Sequence, residues 1–266
     1  MQKVGFIGTG NMGAILASAV AKSDCTLYYA NRSPEKPQKL AKNLGGTVTT
    51  NEEIATQCSL IFLGVKPQMM GDMLKPLAPL FKERTDPFVL VTMAAGLTCE
   101  TIATMAGGDY PVIRIMPNTP SSVGAGMNLY CGHKVSAETL DRFATLLAPT
   151  GMMDLIDESQ MDAAGCVAGC GPAFYALFVE GLAQGGVACG LTYEQAVRYA
   201  TQTMIGTGQK LLAEQISPEA LRIQVCSPKG STLEGVAVFE QGNSVDLGTR
   251  AVSAAYHRTL ELGKLL

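Results

Sequence analysis

The sequence predicts an α/β chain in two parts: a doubly wound sheet over residues 1–156 and an all-helical domain over residues 157–266. Three observations predict it. Strand-like and helix-like segments alternate through the first ~150 residues, the pattern of a parallel sheet. Gly8-Thr9-Gly10-Asn11-Met12-Gly13 follows an apolar strand and opens a helix. After Asp157 the strand signals stop, and Ala, Gly, Leu and Gln dominate.

Lys3–Ile7 reads as the first strand and Met12–Lys22 as its helix. Thr26–Ala30 is a strand, and Pro34–Leu44 a helix with Ser33 as N-cap and Pro34 in its first turn. Thr47–Thr49 is a short strand before the capping box Thr50-x-x-Glu53. Leu60–Leu63 is a buried strand, and Gln68–Phe81 a helix interrupted at Pro76 and Pro79. Phe88–Val91 and Val112–Ile115 are strands, with Thr98 capping the helix between them. Met127–Tyr130 is a further strand, Ser136 caps a helix ending near Leu147, and Met152–Leu155 closes the sheet. Thr192-x-x-Gln195 is a capping box for a helix ending near Glu214. Ser217-Pro218 starts another helix, one more follows Thr232, and Val245–Leu266 holds the last. Ala- and Gly-rich helical faces pack poorly alone, so a homodimer or higher oligomer is expected.

Composition narrows the function. Charged residues are 16% and hydrophobic ones 47%, enough apolar surface for a large core. A net charge of −3 gives no electrostatic footprint for nucleic acid or an anionic membrane. The start reads as a strand rather than a secretory signal, and eight cysteines in a chain of 266 residues are no secreted disulfide framework. Reduced thiols and a cytoplasmic location are expected. Cys166 and Cys170 form a C-x₃-C pair, but the histidines are only His133 and His257, so no metal site is expected. Ala163–Val179 is free of charge over 17 positions, at the lower edge of a bilayer span of ~17–25 residues. Its glycines, Pro172 and small side chains suit a helix buried in a soluble assembly better than a membrane.

The glycine run carries the first chemistry. Gly8 allows a tight turn, Gly10 lets backbone approach a pyrophosphate, and Gly13 lets helix and strand pack closely. The helix N-terminus supplies free N–H groups for phosphates. An NAD site wants an acid at the end of the second strand, where this chain has Asn31-Arg32-Ser33. Arg32 can pair with a 2′-phosphate or stack on adenine, and Ser33 can donate to it. NADPH is therefore the expected cofactor, with NADH weaker. The alternative is a solvated Arg32 and a Ser33 that only caps its helix.

The chain resembles the pyrroline-5-carboxylate reductase family over essentially its whole length. The resemblance rests on Val4–Met12, Val65-Lys66-Pro67, Ala94-Ala95-Gly96, Arg114–Pro120, Gly169-x-Gly171-Pro172-Ala173 and, most specifically, Ser227-Pro228-Lys229-Gly230-Ser231-Thr232. It implies NAD(P)H-dependent reduction of L-1-pyrroline-5-carboxylate to L-proline, a Rossmann domain and a helical dimerisation domain. By motif, Ile7, Gly8, Thr9, Gly10, Asn11, Met12 and Gly13 would line the pyrophosphate, Ser33 the 2′-phosphate, and Asn51 the adenosine ribose region. Gly64, Val65, Lys66 and Pro67, with Met93, Ala94, Ala95 and Gly96, would wrap the nicotinamide half. Ser227, Gly230, Ser231 and Thr232 would bind substrate. Lys229 departs from a common Gly-Gly, and Gln215 stands where an acid is frequent.

The residues account for such chemistry independently. The second domain offers no histidine except His257 and no evident acid–base pair, which disfavours carbonyl reduction. A cyclic imine nitrogen is basic enough for solvent to protonate it. The enzyme then mainly holds the C=N carbon against the hydride donor. The N–H groups of Gly230, Ser231 and Thr232, opening a helix, can cradle a carboxylate, and the Thr232 hydroxyl can bond the ring nitrogen as the catalytic group. The same segment also reads as an ordinary Ser/Thr helix cap. Glu158 reads either as bordering the pocket or as an exposed acid at a helix start. Gly169-Cys170-Gly171-Pro172 reads as a helix kink before a cofactor wall, and Lys66 as placed through its backbone with its ammonium in solvent. The enzyme alternative is a β-hydroxyacid dehydrogenase, but Lys210, Lys229 and Lys264, the lysines after 157, sit in no motif for its catalytic lysine. The non-enzyme alternative is an NADPH-sensing regulator, against which the intact substrate loop argues.

Overall fold

The computed structural model describes residues 2–264. The elements run β1 (Gln2–Ile7), α1 (Asn11–Val20), β2 (Cys25–Ala30), α2 (Glu35–Leu44), β3 (Thr47–Val48), α3 (Asn51–Gln57) and β4 (Leu60–Leu63). Then come α4 (Met70–Leu74), α5 (Ala78–Glu83), β5 (Val89–Thr92), α6 (Cys99–Met105), β6 (Val112–Met116), β7 (Gly126–His133), α7 (Ala137–Leu147) and β8 (Gly151–Leu155). The remainder is α8 (Met161–Ala168), α9 (Gly171–Ala188), α10 (Tyr193–Glu214), α11 (Pro218–Val225), α12 (Ser231–Gln241) and α13 (Ser244–Lys264). The expected last helix reached Leu266; Leu265 and Leu266 lie outside the described residues.

The eight strands form one sheet in the order β3-β2-β1-β4-β5-β6-β7-β8. Neighbours are parallel except β6 and β7, where Arg114 faces Cys131 in an antiparallel pair. A 3₁₀ turn, Thr119–Val123, is the helical element between them. That is too short for the crossover a parallel pair needs. Alternate residues of the central strands enter separate cores. Phe6 and Phe62 stack at 4.5 Å and pack with Leu16, Val20, Phe143 and Leu147 of α1 and α7. Ile7, Ile61 and Leu63 pack instead with Ile54, Met70, Phe81 and Ile102 of α3 to α6. This is the doubly wound arrangement the strand–helix alternation predicts.

The predicted caps form locally. Thr50, Thr98, Ser136 and Ser217 each accept an N–H in the first turn of α3, α6, α7 and α11. At α10 both halves of the Thr192–Gln195 box are made. Ser33 is a correction: α2 starts at Glu35, Pro34 is its N-cap, and no side chain caps it. α8 ends at the Gly169–Cys170 break in a tight last turn, where Gly169 N–H donates to the Gly165 carbonyl at 2.7 Å. The run Glu158–Ala188 is long and apolar enough to cross a membrane by length and composition, with 17% of its apolar window buried. The chain divides into two compact units, one reaching Cys170 and resuming at Ala255, the other Gly171–Ala254.

Candidate active site

The glycine turn lies at the C-terminal end of β1, beside the end of β4, where the strand order reverses direction from the chain's start. In open α/β sheets ligands bind at such a switch point. Gly8 has φ +96°, and a Cβ there would lie 2.6 Å from the Gly64 backbone. Gly64 in turn approaches the Gly8 carbonyl so closely that a Cβ would stand 2.4 Å from it. The two turns therefore touch backbone to backbone, which only residues without a Cβ permit. A Cβ on Gly10 would meet nothing within 4 Å, so open space lies over the turn.

α1 opens on that space without a cap. Gly10 is its N-cap and has no side-chain bond, and the first turn holds no acid. Ala14 N–H reaches the Gly10 carbonyl, while the N–H groups of Asn11, Met12 and Gly13 have no acceptor among the described residues. Thr9 is 3% exposed, and its hydroxyl is buried without a partner. Three free N–H groups, a helix dipole and an orphaned hydroxyl around the glycine turn fit a pyrophosphate. Ile7 and Ala94 are buried, so neither offers its side chain to a ligand.

The β2 end is built around Asn31. Its side-chain oxygen accepts the Thr9 N–H at 3.2 Å, and its amide donates to the Ser33 carbonyl at 3.0 Å. Asn31 thus fastens the two turns together. Arg32 and Ser33 are exposed, and neither side chain bonds another described residue. Burial pushes the neighbouring Tyr29 hydroxyl up to about 12, so it adds no negative charge below that pH. Asn51 begins α3 after the edge strand. Lys66 is exposed, and its carbonyl accepts the Met69 N–H at 2.9 Å to start a 3₁₀ turn. Ala94 N–H donates to the Thr92 hydroxyl at 3.2 Å, and Gly96, at φ +76°, lies against Gly263 of α13. The strand-end residues expected to hold a dinucleotide thus gather along one edge of four adjacent strands.

In the second unit, Ser227-Pro228-Lys229-Gly230 makes a β-turn closed by Gly230 N–H on the Ser227 carbonyl at 3.0 Å. Pro228 and Lys229, with φ +60° at the latter, give it type II geometry. A Cβ on Gly230 would lie 2.6 Å from the Ser227 hydroxyl. Gly230 N–H is therefore committed to the turn, and the expected carboxylate cradle loses that donor. Ser231 and Thr232 N–H remain free at the start of α12, which has no side-chain cap. The hydroxyls of Ser231 and Thr232 are exposed and bond no described residue, so the helix-cap reading is not realised.

Sequence reasoning missed a buried ionic group. Arg114, 2% exposed, pairs with Asp162 and stands 3.8 Å from Glu158. Glu158 accepts the Cys99 N–H at 2.7 Å, so it closes the start of α6 and is no free helix acid. Asn118 donates to the Ala168 carbonyl at 3.0 Å and accepts Met127 N–H at 3.1 Å. A lone arginine inside the apolar strand Val-Ile-Arg-Ile-Met was the available signal. Gln215 is the left-handed C-cap of α10, and Lys210 pairs with Glu214.

Comparison with known proteins adds two family matches: "Pyrroline-5-carboxylate reductase dimerisation" over residues 158–262 and "NADP oxidoreductase coenzyme F420-dependent" over residues 3–96. A pyrroline-5-carboxylate reductase of Pseudomonas aeruginosa is 33% identical, covering 99% of this chain and 98% of its own. The crystal structure of the Streptococcus pyogenes 1-pyrroline-5-carboxylate reductase superposes with TM-score 0.86 at 30% identity, covering 99% and 98% of the two chains. That of the Plasmodium falciparum pyrroline carboxylate reductase with NADP bound gives 0.87 at 29%, covering 98% of each.

Proposed function

The chain belongs to the pyrroline-5-carboxylate reductase family, and from that premise we propose how its residues divide the reaction. It is an NAD(P)H-dependent oxidoreductase that reduces L-1-pyrroline-5-carboxylate to L-proline, the last step of proline biosynthesis. Its helical region carries the family's dimerisation domain. In the proposal, residues 1–156 hold the cofactor, and 157–266 bind substrate and form a homo-oligomer in the cytoplasm.

NADPH, when bound, supplies the hydride for the C=N carbon. Asn11, Met12 and Gly13 N–H groups hold the pyrophosphate, with the Thr9 hydroxyl beneath. The uncommitted Arg32 guanidinium and Ser33 hydroxyl take the 2′-phosphate, which is the basis for preferring NADPH over NADH. Asn51 serves the adenosine ribose. Gly64, Val65, Lys66, Pro67, Met93, Ala94, Ala95 and Gly96 shape the nicotinamide half. Ser231 and Thr232 N–H hold the substrate carboxylate, Ser227 and Gly230 set that turn, and the Thr232 hydroxyl bonds the ring nitrogen. No strong general acid is required, because solvent protonates the imine before the hydride arrives.

The observation that carries this reading is the uncapped start of α1, with three unsatisfied N–H groups at the glycine turn. Steady-state oxidation of NADPH and NADH with pyrroline-5-carboxylate, beside piperideine carboxylate, tests it. A higher kcat/KM with NADPH is expected. NADPH binding without turnover of either imine would favour a silent cofactor sensor.

A further inference from the structure

Two thiols outside the reaction lie together in the core between α6 and β7. Cys99 opens α6, and Cys131 lies on β7 opposite Arg114. The two sulfurs and a Glu158 carboxylate oxygen are all within 4.8 Å of one another. Cys99 is fully buried and Cys131 is 4% exposed, while the Glu158 side chain is one-third exposed and gives the cluster its solvent side.

The two sulfurs differ in chemistry. The neighbouring Cys131 sulfur, with burial, pushes the Cys99 thiol up. The Cys99 thiol beside it holds Cys131 below the ordinary thiol range, with the Arg114 charge adding to the effect. Cys131, opposite the Arg114 cation and not fully closed off, is the readier thiolate, and the more deeply buried Cys99 is its neighbour. A divalent metal suits the group less well. The Arg114 guanidinium, 3.8 Å from the same carboxylate, would oppose a second cation.

We propose that Cys99 and Cys131 form a redox-active dithiol, a modification site that a small peroxide closes to an intramolecular disulfide. The Cys131 thiolate attacks one peroxide oxygen, the O–O bond breaks, and hydroxide leaves, giving a sulfenic acid. Cys99 sulfur then attacks that sulfur, the S–O bond breaks, and the Cys99 proton leaves in the water formed. In total two thiols and one hydrogen peroxide give one disulfide and two waters, with two electrons passing from sulfur to oxygen. Closing the sulfurs to about 2.0 Å displaces the first turn of α6, which follows the Met93–Gly96 loop directly. Oxidation therefore weakens NADPH binding, and this coupling rests on the assignment of that loop to the nicotinamide half.

The test is peptide mass mapping of the wild-type protein, reduced, desalted and exposed to slight excess hydrogen peroxide, with NADPH titrated before and after. A Cys99–Cys131 linked peptide is expected, reversed by dithiothreitol, with a severalfold and reversible rise in the NADPH Kd. In Cys99→Ser, Cys131 should stop at a dimedone-trapped sulfenic acid. In Cys131→Ser, Cys99 should stay reduced. Both thiols remaining free after the exposed Cys189 has oxidised would overturn the dithiol. So would zinc retained at one per chain by wild type and lost from both serine variants. A linked peptide with unchanged NADPH affinity would overturn the coupling to the loop. The mapping needs no turnover, so it stands apart from any failure of the assigned reaction.

Discussion

The two compact units bury their apolar side chains to very different degrees. In the first, Val4, Phe6, Leu16, Ile61, Phe62 and Leu63 are closed off on both faces of the sheet. Between Gly171 and Ala254 the buried residues are Gly171, Ala183, Ala196 and Leu221. Leu177, Tyr175, Phe178, Leu212 and Val238 are all exposed in the single chain, Leu177 at 68%. One unit is stabilised by its own core. The other has helices satisfied along their backbones but apolar faces left open, and its match to a dimerisation domain makes a second copy the surface expected to cover them. In the proposed assignment, cofactor chemistry sits on the self-sufficient unit and substrate chemistry on the one whose apolar faces are left open.

That contrast makes Arg114→Ala the most damaging change. It leaves Asp162 and Glu158 without their cation inside the first unit and should cost about 3–5 kcal/mol in urea unfolding. The double variant Arg114→Met with Asp162→Leu should recover much of it; no recovery would mean packing, not charge, holds that corner. The second unit should respond differently. Leu177→Asp places a charge on an exposed apolar face and should weaken self-association by at least about 2 kcal/mol. Light scattering at micromolar concentration should show more monomer, with a far smaller change in the first unit's unfolding. An undisturbed oligomer would remove that face from the interface.

Smaller effects separate the two chemistries. Thr232→Ala should lower kcat more than it raises KM, by about 10–150-fold for a bond of roughly 1.5–3 kcal/mol, with Thr232→Ser retaining most activity. Wild-type turnover in the alanine variant would leave the reaction to positioning and a solvent proton. Arg32→Ala should cost NADPH about 1–3 kcal/mol and NADH almost nothing; equal losses would deny it the 2′-phosphate. Least affected should be Thr192→Ala, about 1 kcal/mol from a lost cap on α10, read by thermal unfolding.

Local signals in the sequence determined much of this protein. The strand–helix alternation, the glycine turn after β1, and the caps at Thr50, Thr98, Ser136, Thr192 and Ser217 each span a few residues, so no distant partner is needed to realise them. The residues proposed for the cofactor were chosen from equally local signals, and most of them lie in or beside a turn at a strand end. Ser33 failed as a cap because Pro34 took the N-cap position and Asn31 engaged the Ser33 carbonyl. Tertiary structure alone decided the rest. Periodicity says which face of a strand is apolar, but not what will neutralise an arginine within it. Arg114 meets Asp162 across 48 residues of chain, and Asn31 meets Thr9 across 22. Cys99 and Cys131 come together only because β7 turns back against β6 and α6 packs beside it. Such contacts depend on chain closure, and the fold has to form before any of these side chains acquires a partner.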